Sequence, residues 1–423
     1  MHFGKTFAAL LLGAASAAAI NSASHAADAV SAESPAAFNW SGIYVGFGGG
    51  VGAVKHGLEI SGAPFSLPDV GGGGVFGEVT VGYDYMLSER VLIGAFADAR
   101  FGNIGLSMEQ GGDEAKITNN YGFDIGARAG YLLTPTTLGY VLGGYSWQHI
   151  DADLPGAPAG FDLDSDRDGY VLGLGVETAI AANWTLKSEY RYANYGTEPF
   201  IGVGGLDAET STHTFSIGAN YRLGAHNGGS ASFSAPAYSW TGFYVGGALG
   251  AGAIADEIHI GGGEFNGFGG DGIFGELSVG YDHEFNDTWV AGIQIGGRYS
   301  GMTTVLQEDP SGSYKGKADY GFDVLARVGT KLNESTLAYV LGGYSRQHVK
   351  EEMSGGGLTD SFDWSVDGFS VGGGLETAVS SNVAVNLEYR YSKFEGQDYG
   401  SGGVYETVPV FHTVRVGAKY KFN

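Results

Sequence analysis

The amino-acid sequence contains one long segment twice. The first copy opens with Trp-Ser-Gly-Ile-Tyr-Val-Gly at residues 40–46, and the second opens with Trp-Thr-Gly-Phe-Tyr-Val-Gly at residues 240–246. The copies also end alike, because Glu-Tyr-Arg-Tyr occurs at residues 189–192 and again at 388–391. A repeat this long lies far beyond the roughly 20 to 50 residues of a solenoid repeat. Each copy is therefore predicted to be a domain-sized unit.

Within each copy, apolar and polar residues alternate. Between residues 121 and 133 the odd positions are mostly aromatic or aliphatic, whereas most even positions are Gly, Asp or Arg. A period of two is typical of a β-strand. Segments of this kind number about eight per copy, and in the first copy they lie near residues 43–54, 75–86, 91–102, 121–133, 137–147, 169–180, 185–194 and 213–223. Each is long enough to cross a bilayer at a tilt.

The connections between these segments alternate in length. Short turns are predicted at residues 87–90, 134–136 and 181–184, and the remaining links are long and polar, at 55–74, 103–120, 148–168 and 195–212. Short connections on one side and long ones on the other are typical of an outer-membrane β-barrel. A soluble β-sandwich, with the aromatic residues in its core, is the alternative. The string Gly71 to Gly74 falls in a long link and is predicted to be a flexible loop.

Composition limits the possible partners and the compartment. The chain has 46 Asp plus Glu against 22 Lys plus Arg, which argues against a nucleic-acid partner because phosphate binding requires clustered positive charge. It has no Cys and hence no disulfide framework. Residues 1–26 have a short positive start, an apolar run over 7–20 and a small-residue site at Ser24-His25-Ala26, as in a cleaved secretory signal. The apolar run is shorter than the roughly 20 residues that a spanning helix needs.

Three motifs carry a resemblance to a known family. The Trp-Ser/Thr-Gly-x-Tyr-Val-Gly opening, the Gly-x-Gly-x-Glu of residues 173–177 and 372–376, and the Glu-Tyr-Arg-Tyr strand resemble the outer-membrane immunogenic, opacity-type small porin family. The resemblance implies an eight-stranded outer-membrane β-barrel with variable surface loops and periplasmic termini. It also implies a location in the outer membrane of a Gram-negative bacterium.

The fold class predicted here is all-β, a transmembrane antiparallel up-and-down β-barrel built as two tandem eight-stranded units. The predicted divisions are a signal peptide at 1–26, a periplasmic segment at 27–38, a first barrel at 39–223, a linker at 224–238 and a second barrel at 239–423. The long linker, rich in Gly, Ala and Ser, favours two separate barrels joined by a tether. The alternative is one merged 16-stranded barrel, which would enclose water and act as a diffusion porin.

Charged residues inside the strands are predicted to point into the barrels. A Lys or Arg facing lipid at mid-membrane costs about 2 to 4 kcal/mol, and an eight-stranded barrel is just wide enough for side chains to fill it. The expected result is a hydrogen-bonded ionic interior and no open channel. The predicted members are Glu78, Asp98, Arg100, Asp124, Arg128, Glu177, Lys187, Glu189 and Arg191 in the first copy, and Glu276, Arg298, Asp323, Arg327, Glu376, Glu388 and Arg390 in the second.

The last strand ends with an aromatic pattern, in which Tyr420 and Phe422 are predicted to form a C-terminal assembly signal for the barrel-insertion machinery.

Asp164, Asp166 and Asp168 match the first half of a Ca²⁺ loop. Gly175 stands at the twelfth position, where a bidentate Glu belongs, so this is a weak metal candidate. His213 and His412 open equivalent strands, yet Ser216 becomes Arg415 in the second copy, which argues against a nucleophilic site.

The sequence therefore predicts a protein that is not an enzyme and needs no cofactor. Its predicted role is structural and surface-interacting, with acidic surface loops. The expected partners are outer-membrane lipid, lipopolysaccharide and host or environmental ligands. A diffusion porin is the alternative function, and surface binding of haem or a host ligand is a lesser one.

Overall fold

Strands account for nearly all of the computed structural model, which describes residues 38–60, 66–153, 155, 164–199, 206–225, 233–260, 263–309, 312–355, 358–399 and 405–422. The predicted signal peptide lies outside the described residues. No helix in the described part of the chain has the length and apolar character needed to cross a membrane.

The first copy forms eight strands in chain order: β1 (Gly42–Ile60), β2 (Ser66–Met86), β3 (Val91–Gln110), β4 (Asp113–Thr134), β5 (Thr137–Asp153), β6 (Ser165–Ala179), β7 (Trp184–Pro199) and β8 (Leu206–Arg222). Each strand pairs antiparallel with the next one. β8 also pairs with β1, from Tyr44 opposite Arg222 to Ile60 opposite Leu206. The first copy is therefore a closed up-and-down barrel of eight strands.

The second copy repeats this arrangement with β9 (Gly242–Ile260), β10 (Gly263–Glu284), β11 (Trp289–Asp309), β12 (Gly312–Asn333), β13 (Thr336–Gly355), β14 (Leu358–Ala378), β15 (Val383–Phe394) and β18 (Val410–Phe422). A short hairpin of β16 (Gln397–Tyr399) and β17 (Tyr405–Val408) lies between β15 and β18. β18 pairs with both β15 and β9, which closes the second barrel. The two-barrel prediction is confirmed, and the merged 16-stranded barrel is not the arrangement found, because each copy closes on its own first strand.

An apolar band surrounds both barrels. The outward-facing side chains in the part of each strand nearer the short turns are aliphatic or aromatic and exposed, and they include Val81, Ile125 and Val141 in the first barrel and Leu249, Leu277 and Ile295 in the second. Aromatic residues such as Tyr85, Tyr131, Trp184 and Tyr420 lie near the short-turn edge of this band. So large an exposed apolar surface indicates burial in a membrane.

The strands continue well beyond the apolar band at the end that carries the long connections, here called the long-loop end. Most of the residues predicted as the links 55–74 and 103–120 are paired strand. The prediction of a flexible loop at Gly71–Gly74 was wrong, because these residues pair with 52–55 of β1. A Cβ on Gly72 would lie 2.1 Å from the carbonyl oxygen of Gly105, so Gly72 serves close backbone approach.

Candidate functional site

Strand parity places one face of every strand inside a barrel, and in the first barrel the inward side chains form two charged layers. In the layer nearer the short turns, Arg128 Nε donates to Asp84 Oδ1 at 2.9 Å, and Arg128 Nη1 donates to Glu177 Oε2 at 2.9 Å. Arg222 Nη2 donates to Glu177 Oε1 at 2.9 Å, and Arg222 Nη1 lies 2.8 Å from Asp84 Oδ2. These four residues, named here the Arg128 cluster, connect β2, β4, β6 and β8 across the interior.

Aromatic rings enclose the Arg128 cluster. The Tyr44 ring centroid lies 4.6 Å from the Arg128 guanidinium and 5.0 Å from the Arg222 guanidinium. The Tyr140 ring lies 4.9 Å from Arg128, and its hydroxyl donates to Glu189 Oε2 at 2.5 Å. A desolvated cation gains from such ring contacts, so Tyr44 and Tyr140 help to compensate the burial of Arg128.

The second layer lies toward the long-loop end and is centred on Arg191. Arg191 donates from Nε to Glu189 at 2.7 Å and from Nη1 to Asp124 at 2.7 Å, and it also contacts Asp98. The remaining cations are Lys187, 2.8 Å from Glu78, and Arg100, which donates to Asp124 at 2.7 Å. The members of this Arg191 cluster are Glu78, Asp98, Arg100, Asp124, Lys187, Glu189 and Arg191.

The second barrel contains the same two layers. Arg327 donates to Asp282 at 2.8 Å and to Glu376 at 2.7 Å, and two lysines replace the second arginine of this layer: Lys419, 2.7 Å from Glu376, and Lys421, 3.1 Å from Asp282. In the next layer Arg390 donates to Glu388 at 2.6 Å, to Glu276 at 3.0 Å and to Asp323 at 3.1 Å. Arg298 donates to Gln347 at 2.7 Å.

The Arg191 cluster and the equivalent layer around Arg390 balance the charge of one carboxylate with cations from different strands. Lys187 of the first barrel corresponds to Asn386, which removes a cation, and Ser216 corresponds to Arg415, which supplies one. In the first barrel Lys187 is the cation on Glu78, and in the second Arg415 contacts Glu276, the equivalent carboxylate. The cation has therefore moved to another strand while its carboxylate has stayed in place.

A tryptophan closes the short-turn end of each barrel. Trp40 is 2% exposed and Trp240 is 1% exposed. Trp40 Nε1 donates to the Pro135 carbonyl at 3.2 Å, and the Trp40 carbonyl accepts from Arg222 Nη1 at 2.9 Å. The Trp240 carbonyl accepts from Lys421 Nζ at 2.5 Å. Each tryptophan thus joins the opening motif to the charged interior.

The rest of the repeated opening motif also has a structural explanation. Ser41 Oγ accepts from the Met86 amide at 3.0 Å, and Thr241 Oγ1 accepts from the Glu284 amide at 2.9 Å. Gly42 has a φ of 134° and Gly242 a φ of 139°, a conformation that L side chains rarely adopt. This turn directs the preceding tryptophan into the mouth of the barrel.

The first barrel contains a small cavity between the Arg191 cluster and the long-loop end, with Arg100, Asn119, Gln148 and Thr214 among its lining residues. Its volume of about 30 Å³ is enough to hold water.

All sixteen residues predicted for the interior networks lie in these layers, and their side chains are buried or nearly buried. The prediction omitted other members, namely Asp84, Arg222, Asp282, Arg415, Lys419 and Lys421. Strand parity would have found Asp84 and Asp282, which lie on the same strand faces as the predicted Glu78 and Glu276. The other four lie on the last strand of each barrel, where they alternate with outward apolar residues. Trp40 and Trp240 precede the strands, so strand alternation carries no signal for their role.

The remaining candidates occupy the outer faces. Asp164 precedes β6, and Asp166 and Asp168 lie within this extended strand, whereas a Ca²⁺ loop must wrap around its ion. His149 Nδ1 lies 2.7 Å from Asp166 Oδ1. Among the described residues no group of three His, Cys, Asp or Glu side chains is arranged to hold a metal ion. The Ca²⁺ site stays a prediction.

His213 and His412 make equivalent contacts in the two barrels. His213 Nδ1 is hydrogen-bonded to the Tyr190 hydroxyl at 2.7 Å, and His412 Nδ1 to the Tyr389 hydroxyl at 2.8 Å.

At the C-terminal end of β18, Tyr420 and Phe422 face outward, with ring centroids 5.3 Å apart. Their role as an assembly signal stays a prediction.

Comparison with known proteins finds similar bacterial outer-membrane proteins. The 31 kDa outer-membrane immunogenic protein of Brucella melitensis biotype 1 is 32% identical over 207 residues, which span 44% of this chain and 85% of the relative. The 22 kDa outer membrane protein of Rhizobium leguminosarum bv. viciae is 30% identical over 192 residues, spanning 44% of this chain and 80% of the relative.

Similar solved structures include Ail of Yersinia pestis, with 21% identity and a TM-score of 0.25 over 42% of this chain and 98% of Ail. Neisserial surface protein A has 20% identity and a TM-score of 0.26 over 43% of this chain and 98% of that protein. The outer membrane protein beta-barrel domain family matches residues 6–222 and again 228–422. The chain is thus a bacterial outer-membrane protein that belongs to the outer membrane protein beta-barrel domain family and carries its domain twice in tandem.

Proposed function

We propose that this protein is a non-catalytic, non-conducting outer-membrane protein that stabilises the cell envelope and presents acidic surfaces outside the cell. The observation that carries the proposal is the pair of ion-paired layers that crosses the interior of each barrel. A solute crossing either barrel would have to displace Arg128 or Arg327. Each of these is bound to two carboxylates, one from a strand two positions away on either side of its own strand.

The cost of opening such an interior is large. Removing one partner of a buried ion pair costs about 3 to 5 kcal/mol, because the remaining charge is left without compensation. In each barrel a solute would meet two such layers and then the tryptophan at the short-turn end. The networks are therefore suited to holding the barrel wall rigid and to opposing the diffusion of solutes.

The long-loop end supplies the surface for contact with other molecules. Strands β3 and β4 extend beyond the apolar band to a turn at Gly111–Gly112, and acidic side chains near this turn are exposed, including Glu109, Asp113 and Glu114. With the charge of the whole chain at −24, this end favours cationic partners over the phosphate groups of lipopolysaccharide. Host or environmental ligands would bind here, whereas lipid surrounds the apolar band.

The first test is conductance of the refolded full-length protein in a planar lipid bilayer. We expect a tight baseline with no stable openings. The matched comparison is a double variant, Trp40→Ala and Trp240→Ala, which removes the tryptophan from the short-turn end of each barrel. We expect this variant to show no conductance either, because the charged layers remain in place. Stable openings of porin size in the unsubstituted protein would overturn the proposal and favour a diffusion porin.

A further inference from the structure

We infer that the two barrels are fixed against each other in the membrane, with no lipid between them. They form a pair with approximate two-fold symmetry and do not move independently on a tether. The partner that each barrel recognises is the other half of the same chain. This inference goes beyond the proposed function, which concerns the interiors and the exposed ends.

The interface has an apolar centre at the level of the membrane. Outward-facing side chains of both barrels form one buried cluster, here named the interface cluster: Val51, Phe215, Leu387, Tyr389, Tyr391, Val410 and Val414. The rings of Phe215 and Tyr389, one from each barrel, stack with centroids 5.1 Å apart and an angle of 16°. Both are 6% exposed, whereas the outward-facing Leu249 and Leu277 are each 76% exposed. Protein atoms therefore cover this part of the outer surface, and lipid does not.

Equivalent residues of the two copies meet at both ends of the interface. At the short-turn end, Thr137 Oγ1 and Thr336 Oγ1 are hydrogen-bonded at 2.9 Å. At the long-loop end, a Cβ on Gly71 would lie 3.3 Å from the Cα of Gly269. Thr137 and Thr336 each open the shared Thr-Leu-x-Tyr-Val-Leu-Gly-Gly-Tyr-Ser segment, and Gly71 and Gly269 precede the shared Gly-x-Phe-Gly-Glu segment by the same number of residues. Self-contact of equivalent positions is the property of an isologous, two-fold interface.

Further polar contacts join the short turns. Asn333 Nδ2 donates to Thr178 Oγ1 at 2.9 Å and to the Ala179 carbonyl at 3.3 Å. Ser335 Oγ donates to Thr134 Oγ1 at 3.4 Å. Thr134, Thr178 and Ser335 are all 1% exposed or less. These contacts tie the β4–β5 turn and the end of β6 in one barrel to the β12–β13 turn of the other.

A charged cluster beyond the apolar band breaks the symmetry. Lys55 Nζ from β1 donates to Asp271 Oδ1 from β10 at 2.7 Å and lies 3.6 Å from Asp69 Oδ1. Asp69 Oδ2 also accepts from the Val305 amide of β11 at 2.6 Å. Two-fold symmetry would exchange Lys55 and Asp271 for Ala255 and Gly73, which cannot form an ion pair. This cluster therefore specifies the pairing on one side of the axis only.

The absence of native cysteine makes the pairing directly testable. We would introduce Thr137→Cys with Thr336→Cys, isolate outer membranes, oxidise mildly, and measure the intramolecular disulfide by mass spectrometry and non-reducing electrophoresis. The matched control is Ala127→Cys with Ala326→Cys, an equivalent pair that is exposed on the outer faces of β4 and β12. Retention of the folded, heat-modifiable band is required for both variants.

We expect efficient intramolecular cross-linking of the Thr137/Thr336 pair and little of the Ala127/Ala326 pair. Equal yields for the two folded variants would show barrels that move freely about a tether, and cross-links only between separate chains would show a different pairing. Either result would overturn the inference without affecting the conductance test, which reports on the interiors alone.

A second arm tests the charged cluster. In the Thr137/Thr336 cysteine background, Lys55→Glu is expected to lower the cross-linking yield several-fold, because it places like charge against Asp69 and Asp271. Combining Lys55→Glu with Asp271→Lys is expected to recover most of the yield. Lys116→Glu serves as the control, since Lys116 is exposed and its ion pair is with Glu114 of its own strand. An unchanged yield in Lys55→Glu would remove the charged cluster from the inference.

Discussion

At the scale of single residues, the two copies show how a buried ionic interior tolerates change. Glu78 is paired with Lys187 in the first barrel, and its equivalent Glu276 is paired with Arg390 and Arg415 in the second. The carboxylate is retained, while its cations come from β7 in one barrel and from β15 and β18 in the other. A deleted cation is therefore tolerated when a neighbouring inward position supplies another.

This exchange leads to a testable prediction. Lys187→Asn alone should destabilise the first barrel by about 3 to 5 kcal/mol, because Glu78 loses the cation of its buried pair. Adding Ser216→Arg, which recreates the Asn386/Arg415 combination of the second copy, should recover most of that loss. Urea titrations of the refolded protein, followed by its electrophoretic mobility, would measure both effects. The control is Ser216→Arg alone. The exchange would be contradicted if the free energy of unfolding of the double variant were no higher than the sum of the effects of Lys187→Asn and Ser216→Arg predicts.

Much of the interior could be predicted from residue patterns, because a membrane outside the barrel forces charges inward. The sixteen predicted members follow from strand parity alone. The pairing geometry does not, since the distance between Arg128 on β4 and Glu177 on β6 depends on closure of the barrel. The role of Trp40 could not be predicted either, because that residue precedes the alternating pattern.

At the scale of strands, length was the least predictable property. Polar residues beyond the apolar band look like loop in a sequence, yet β1 and β2 stay paired as far as Glu59 and Ser66. Backbone hydrogen bonding continues regardless of whether lipid or water lies outside. The Gly71–Gly74 string is paired strand for a related reason, because glycine permits close backbone approach as well as flexibility.

The last strand carries a prediction about assembly. Phe422 pairs with Phe243 of β9, where the second barrel closes, and its aromatic ring faces outward. Phe422→Ala should reduce insertion into the outer membrane, since the terminal aromatic is the predicted signal. Leu223→Ala is the matched control, because Leu223 is the equivalent outward position of the first barrel and is internal to the chain. Membrane fractionation would compare the two, and equal insertion would argue against a terminal signal.

At the scale of the whole molecule, each charged network is closed within its own barrel. The interior pairs of Arg128 lie on β2 and β6, and those of Arg327 lie on β10 and β14. Disrupting one interior should therefore leave the other intact, although the two barrels share an outer surface. The sequence predicted two closed units, but it carried no sign of their contact, because an outward apolar residue looks the same against lipid or protein.

Separate interiors predict separate unfolding. Arg128→Leu should lower the stability of the first barrel by about 3 to 5 kcal/mol by leaving two buried carboxylates undercompensated, and Arg327→Leu should do the same to the second barrel. Pulse proteolysis along a urea gradient, with the surviving fragment identified by mass spectrometry, would show which half unfolds first. Loss of both halves at one urea concentration in both variants would indicate a single cooperative unit.

The one-sided pair of Lys55 and Asp271 has an evolutionary consequence. In an assembly of two identical chains, every substitution appears on both sides of the axis, so a residue must suit two environments at once. Duplication within one polypeptide removes that constraint and also fixes the stoichiometry at one to one. Each half is then free to diverge at its outer end, because a substitution there no longer appears on both sides of the axis.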